Sequence, residues 1–145
     1  MASKIYYKCV RCQQQSPPGN LFDALLDLSK GVVSSCAACG GTKQLHKIFD
    51  FGLGAEGAKG TLLDAFLPRD PVAWEDEGKW LTFYPFLVVV ECADNKGQAF
   101  WLPYWHIEEG AGTKKRKYGQ FAPFLEEPLF KSLLAQARGK GYLRD

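Results

Sequence analysis

Histidine is nearly absent from this chain: His46 and His106 are the only two in 145 residues. They cannot build a histidine-rich metal centre, and with no serine in a nucleophile-elbow glycine frame a hydrolytic triad has no support. Excess charge is missing too. Eighteen basic against sixteen acidic side chains leave a formal net charge of +2, so any hold on a polyanion has to come from a local patch. The opening Met1-Ala2-Ser3-Lys4-Ile5-Tyr6-Tyr7 lacks the apolar core of a signal peptide, and no run reaches the ~20 residues of a membrane helix. The expectation is a cytoplasmic protein in a reducing compartment, with no membrane partner. Core material is plentiful: 46% of residues are hydrophobic and 14% aromatic, enough for one domain or one small domain plus a metal module.

Four of the five cysteines fall into two pairs, Cys9-Val10-Arg11-Cys12 and Cys36-Ala37-Ala38-Cys39-Gly40-Gly41. A two-residue gap lets both thiolates of a pair reach one ion from a tight turn, and two such knuckles complete a tetrahedral set. On these residues the N-terminal third resembles a zinc ribbon, a metal-stapled module common in nucleic-acid machinery and elsewhere. The resemblance implies one structural Zn2+ held by Cys9, Cys12, Cys36 and Cys39, because four thiolates leave no position for water or substrate. Spacing alone does not separate zinc from rubredoxin-like iron. Two disulfides or a thioredoxin-like dithiol are the weaker readings of four cysteines without a secretory signal. Gly40 follows the second knuckle where a positive φ is wanted, whereas the first has Gln13, so the second is the better match. The 23 residues between Cys12 and Cys36 exceed the usual fifteen to twenty. A helix fits there, capped by Asn20, striped by Leu21, Phe22, Leu25, Leu26 and Leu28, and ended by Gly31.

Around the knuckles, Ile5–Lys8 and Val32–Ser35 read as strands able to pair, and the alternation from Leu45 to Phe51 as a third. Gly52–Gly60, with four glycines in nine residues, reads as a connection rather than a phosphate loop, since Lys59 is followed by Gly60 instead of serine or threonine. Thr61–Leu67 is a short apolar element of undetermined type, stopped by Pro68 and Pro71.

The second half centres on a long hairpin. Trp80–Cys92 runs out through Phe86-Leu87-Val88-Val89-Val90, Asp94-Asn95-Lys96-Gly97 turns, and Gln98–Ile107 returns. Pro103 then falls opposite Val88 or Val89 and has to interrupt the ladder. Twelve of the twenty aromatics lie between Trp74 and Phe124, either as shared core or as a stacking platform. Trp101 and Trp105 share one parity of the return strand, with Phe100, Tyr104 and His106 on the other. Beside them, Lys114-Lys115-Arg116-Lys117-Tyr118 between glycines reads as a mobile basic loop. Pro128 opens a closing helix striped by Leu129, Phe130, Leu133, Leu134 and Ala137 and ended by Gly139.

No catalytic residues are assigned. His106-Ile107-Glu108 has the spacing of a zinc deaminase, but there the cysteines follow the histidine. Glu91, Asp94 and Lys96 serve a metal nuclease only if turn residues are forced into it, and Cys92 reads as a small buried hydrophobe. The expected fold class is α+β: an N-terminal four-cysteine zinc ribbon with an inserted helix over residues 1–52, then a small antiparallel β-sheet with a C-terminal helix over residues 61–145. The expected function is a non-enzymatic zinc-binding protein that binds nucleic acid through Lys114, Lys115, Arg116, Lys117, Tyr118, Trp101 and Trp105. A protein-interaction adaptor is the alternative, and a metal-dependent nuclease a weaker one.

Overall fold

In the computed structural model, which describes residues 5–49, 58–70, 72–93, 98–110, 113–119 and 127–143, the chain enters through β1 (Ile5–Cys9) and turns back through the short β2 (Gln15–Ser16). Next comes α1 (Leu21–Ser29). The Asn20 side chain accepts from the Asp23 N–H at 3.2 Å, satisfying a donor of the open first turn. At the other end Gly31 takes φ 73°, and the N–H groups of Gly31 and Val32 donate to the carbonyls of Leu28 and Asp27, a Schellman stop. Phe22, Ala24 and Leu25 are its buried face.

The segment after α1 does not form the expected strand. Val32 and Val33 are 54% and 66% exposed, and only Ser35 bridges, to Thr42. Both edges of β1 are already taken, by β2 and by β3 (Lys43–Phe49). In β3, Leu45 and Lys47 are both buried, so the alternation holds but places a lysine inside. The glycine-rich connection ends earlier than expected. Ala58–Gly60 already belong to β4 (Ala58–Phe66), paired with β3, and Gly60 is needed there because a Cβ would meet Val90.

The expected hairpin spans four strands instead of two. β5 (Val72–Asp76) and β6 (Lys79–Pro85) are joined by Glu77 and Gly78, both at positive φ, as a two-residue hairpin loop requires. The chain continues as β7 (Leu87–Cys92), β8 (Gln98–Trp101), β9 (Tyr104–Gly110) and β10 (Thr113–Gly119). Pro85 and Pro103 are fully buried and neither can donate to a ladder, so the long strands break beside them. Pro103 lies opposite Phe86, whose N–H it accepts at 2.8 Å, and not opposite Val88 or Val89. One sheet has the order β2-β1-β3-β4-β7-β8 and the other β10-β9-β6-β5. β7 is central, which its unbroken Leu-Val-Val-Val run suits.

The basic segment is a strand and not a mobile loop. Thr113–Gly119 pairs residue for residue with Tyr104–Gly110 and forms an edge of the second sheet. α2 (Glu127–Gly139) closes the chain, with Leu133 and Ala137 fully buried and Phe130 exposed rather than in the stripe. Its stop lies two residues beyond Gly139, at Gly141 with φ 84°, where the Tyr142 N–H returns to the Ala137 carbonyl.

Two compact units result, and no single cut in the chain separates them. One is Met1–Ala65 with Val89–Phe100, the other Phe66–Val88 with Trp101–Asp145. The division at 1–52 and 61–145 does not follow this, because β4 pairs with β3 and therefore stays with the cysteine-bearing sheet. Cys9, Phe22, Leu25, Cys36, Leu45 and Leu62 are core of the first unit, and Phe83, Phe86, Trp105, Ile107 and Leu133 of the second. The turn 94–97, glycines 52–57, Phe51, Pro71 and Phe124 lie outside the described residues. Among the described residues no helix is long and apolar enough to cross a membrane.

Candidate metal centre and sheet surface

The end of β1 carries Cys9 into a turn that brings Cys12 back beneath it, and the loop before β3 does the same for Cys36 and Cys39. Their sulfurs converge: Cys9 Sγ lies 3.4 Å from Cys39 Sγ and Cys12 Sγ 3.7 Å from Cys36 Sγ, and all four fall within 4.8 Å of one another. Tetrahedral bonds of about 2.3 Å put neighbouring sulfurs about 3.8 Å apart, so the donor set fits one ion. These four residues are the one such group among the described residues, and they can hold a metal. His106 and Glu108 belong to no comparable cluster there.

Backbone donors hold the sulfurs in place. The N–H groups of Arg11 and Cys12 point at Cys9 Sγ, 3.4 and 3.5 Å away, and that of Gly41 at Cys39 Sγ, 3.4 Å away. Gln13 takes φ 67° and Gly40 φ 75°, so both knuckles make the same left-handed exit. The first knuckle thus makes the same turn as the second. Glutamine occupies a conformation that glycine adopts without strain. The two knuckles are tied together by Val10 N–H to the Thr42 carbonyl at 2.9 Å and by Arg11 Nη1–H to the Cys39 carbonyl at 3.1 Å.

These donors set the protonation pattern of the set. The Cys12 N–H, ahead of those from Arg11 and the neighbouring thiols, outweighs burial and lowers Cys9 from its ordinary 9.0 to about 6. The Cys39 and Ala38 N–H groups likewise lower Cys36. For Cys12 the Gln14 N–H favours the thiolate, but burial and the three neighbouring sulfurs together push it up to about 11. Four sulfurs this close cannot all ionise without a cation among them.

Gly41 is a site residue that spacing alone did not single out. A Cβ there would stand 2.9 Å from both Cys9 Sγ and Arg11 Cβ, so a side chain would press on the ligand set. The Gly-Gly doublet after Cys39 was its signal.

The other sequence-derived site residues are spread out. Trp105 is buried, with its ring 5.4 Å from Phe86, so it is core and offers no stacking surface. Trp101 is half-buried at the end of β8. Shared parity did not become a shared face, because the break at Pro103 puts them in different sheets. Lys114 is exposed, 3.4 Å from Glu109, and the register partners of Lys115, Arg116, Lys117 and Tyr118 are Glu108, Ile107, His106 and Trp105. The residues of the other parity, Tyr104 and His106, meet Phe83 and Trp74 in one aromatic cluster. That cluster depends on strand register, which alternation along one strand does not reveal. In comparisons with known proteins, the chain matches no family model, no curated protein and no solved structure.

Proposed function

We propose that this is a non-enzymatic zinc-binding protein whose four thiolates hold one structural Zn2+ and whose second unit binds nucleic acid. The observation that carries the first part is the convergence of four sulfurs within 4.8 Å. Soft thiolate donors at tetrahedral spacing favour zinc, and a sphere closed by four of them supplies folding free energy instead of a reactive water. Bound there, zinc would hold all four sulfurs as thiolates. Thiolate ligation fits a reducing, cytoplasmic setting.

Support for nucleic acid comes from four consecutive cationic positions, Lys114, Lys115, Arg116 and Lys117, on an edge strand of a chain whose net charge is only +2. The competing reading, a protein-interaction adaptor, is favoured by Trp74 and Trp80, which are 41% and 54% exposed. Elemental analysis is expected to find one zinc per chain, and a protein that stays folded and metal-free under chelation would overturn the structural role. A salt titration of oligonucleotide binding separates the other two. Phosphate contacts make affinity fall steeply with ionic strength, whereas an aromatic protein interface is far less sensitive.

A further inference from the structure

Antiparallel register partners share a face of their sheet. In the β10-β9-β6-β5 sheet the rows Lys117–His106–Phe83–Val72 and Lys115–Glu108–Leu81–Trp74 therefore alternate with rows holding Trp105 and Ile107. The second set is covered at Trp105 and Ile107, each only 6% exposed, although Trp80 on the same face is 54% exposed. The first set is open at Trp74, Tyr104 and His106, while Phe83 between them is only 8% exposed. Trp74 is 41% exposed, and Tyr104 and His106 are half-buried. Their rings adjoin, with His106 6.2 Å from Trp74, 5.4 Å from Phe83 and 5.6 Å from Tyr104. Lys115 and Lys117 occupy the corresponding positions of the edge strand, paired with Glu108 and His106, so two cationic positions and one carboxylate border this face.

We propose that this face, Trp74, His106 and Tyr104 bordered by Lys115 and Lys117, is a binding surface for single-stranded nucleic acid. It rests on the nucleic-acid reading above and assigns that reading a face. The occupant follows from the two chemistries side by side. Aromatic rings take unstacked bases, which a duplex keeps stacked and paired, and lysines along one edge follow a phosphate backbone. A lysine-rich edge also has a second use, since it discourages edge-to-edge pairing between copies.

The test is fluorescence anisotropy of a labelled oligothymidylate and of a labelled duplex, titrated with the zinc-loaded chain across a range of salt. Wild type is expected to prefer the single strand. Trp74→Ala is expected to weaken that binding about fivefold to a hundredfold, with the salt slope kept and with Trp74→Phe retaining most of the affinity. The double variant Lys115→Gln, Lys117→Gln is expected to flatten the slope by about 1.4, at roughly 0.7 per phosphate contact. Melting curves check that each variant folds, and the lysine pair remains informative if Trp74→Ala does not. Binding by wild type that neither variant changes would overturn this face while leaving nucleic-acid binding intact, as would equal affinity for the duplex. No binding of either probe at low salt would overturn both and favour the adaptor.

Discussion

The two units are built from different materials. All five cysteines fall in Met1–Ala65 with Val89–Phe100, and all four tryptophans in Phe66–Val88 with Trp101–Asp145. The first has a short helix, a two-residue strand and two knuckles, and the loop 32–34 leaves valines exposed. Two of its buried side chains, Cys9 and Cys36, are thiols of the convergent set, so a metal bound there is expected to supply on the order of ten kcal/mol of its folding free energy. The second buries large rings and a helix in ordinary fashion. Leu133 and Ala137 of α2 are fully buried, Gln136 donates to the Leu67 carbonyl at 2.9 Å, and Tyr142 meets Phe66 edge-on at 6.3 Å. Similar size does not mean the same means of stabilisation.

The largest test of this contrast removes a ligand. Cys36→Ser, or chelation of the wild type, is expected to abolish protection from hydrogen exchange over residues 5–49 while residues 104–110 keep theirs. Uniform loss along the whole chain would mean one cooperative unit and erase the distinction. The converse is Leu133→Ala, expected to cost about 2–5 kcal/mol in the second unit with zinc content unchanged. Calorimetry with metal analysis reads both quantities.

A smaller effect is expected at Gly41. Gly41→Ala places a methyl against Cys9 Sγ and should cost on the order of 1–3 kcal/mol, as overpacking does, read as weaker zinc in competition with a chromophoric chelator. Gly40→Asn is its control. Space is open at Gly40 and asparagine tolerates the left-handed backbone, so affinity there should barely change.

The smallest concerns Lys47, buried in β3 with its ammonium 4.9 Å from the Phe49 ring. Burial lowers it from 10.5 to about 8. Between those values the unfolded chain holds the proton and the folded one does not, so stability rises with pH across this window and falls as pH drops from 10.5 to about 8, below which the burial penalty is constant. Lys47→Met should remove that slope and add on the order of 1 kcal/mol at pH 7, once solvent reaching the ammonium is discounted. Denaturation of both proteins at pH 7 and pH 10 checks it, and parallel pH profiles would refute it.

Local chemistry was legible in the sequence. The cysteine spacing named the four sulfurs that converge, Asn20 and Gly31 marked the two ends of α1, and the apolar run around Val88 marked a central strand. Each of these depends on residues a few positions apart, where backbone geometry alone fixes the outcome. Failures came where the deciding partner was distant. Lys114–Lys117 look like a solvated loop until β9 supplies their ladder, and Trp105 looks available until Phe86 covers it. Glycine alone suggested that the first knuckle was the weaker, yet hydrogen bonds from Val10 and Arg11 to the carbonyls of Thr42 and Cys39 hold it in the same turn with Gln13 at positive φ. The sequence by itself determined which atoms can bind a metal and where α1 begins and stops. Only tertiary structure decided that Pro85 and Pro103 divide one hairpin between two sheets, and through that break which aromatics are core and which are open. Side-chain facing is set by register between strands, and register is a property of pairs that no single strand contains.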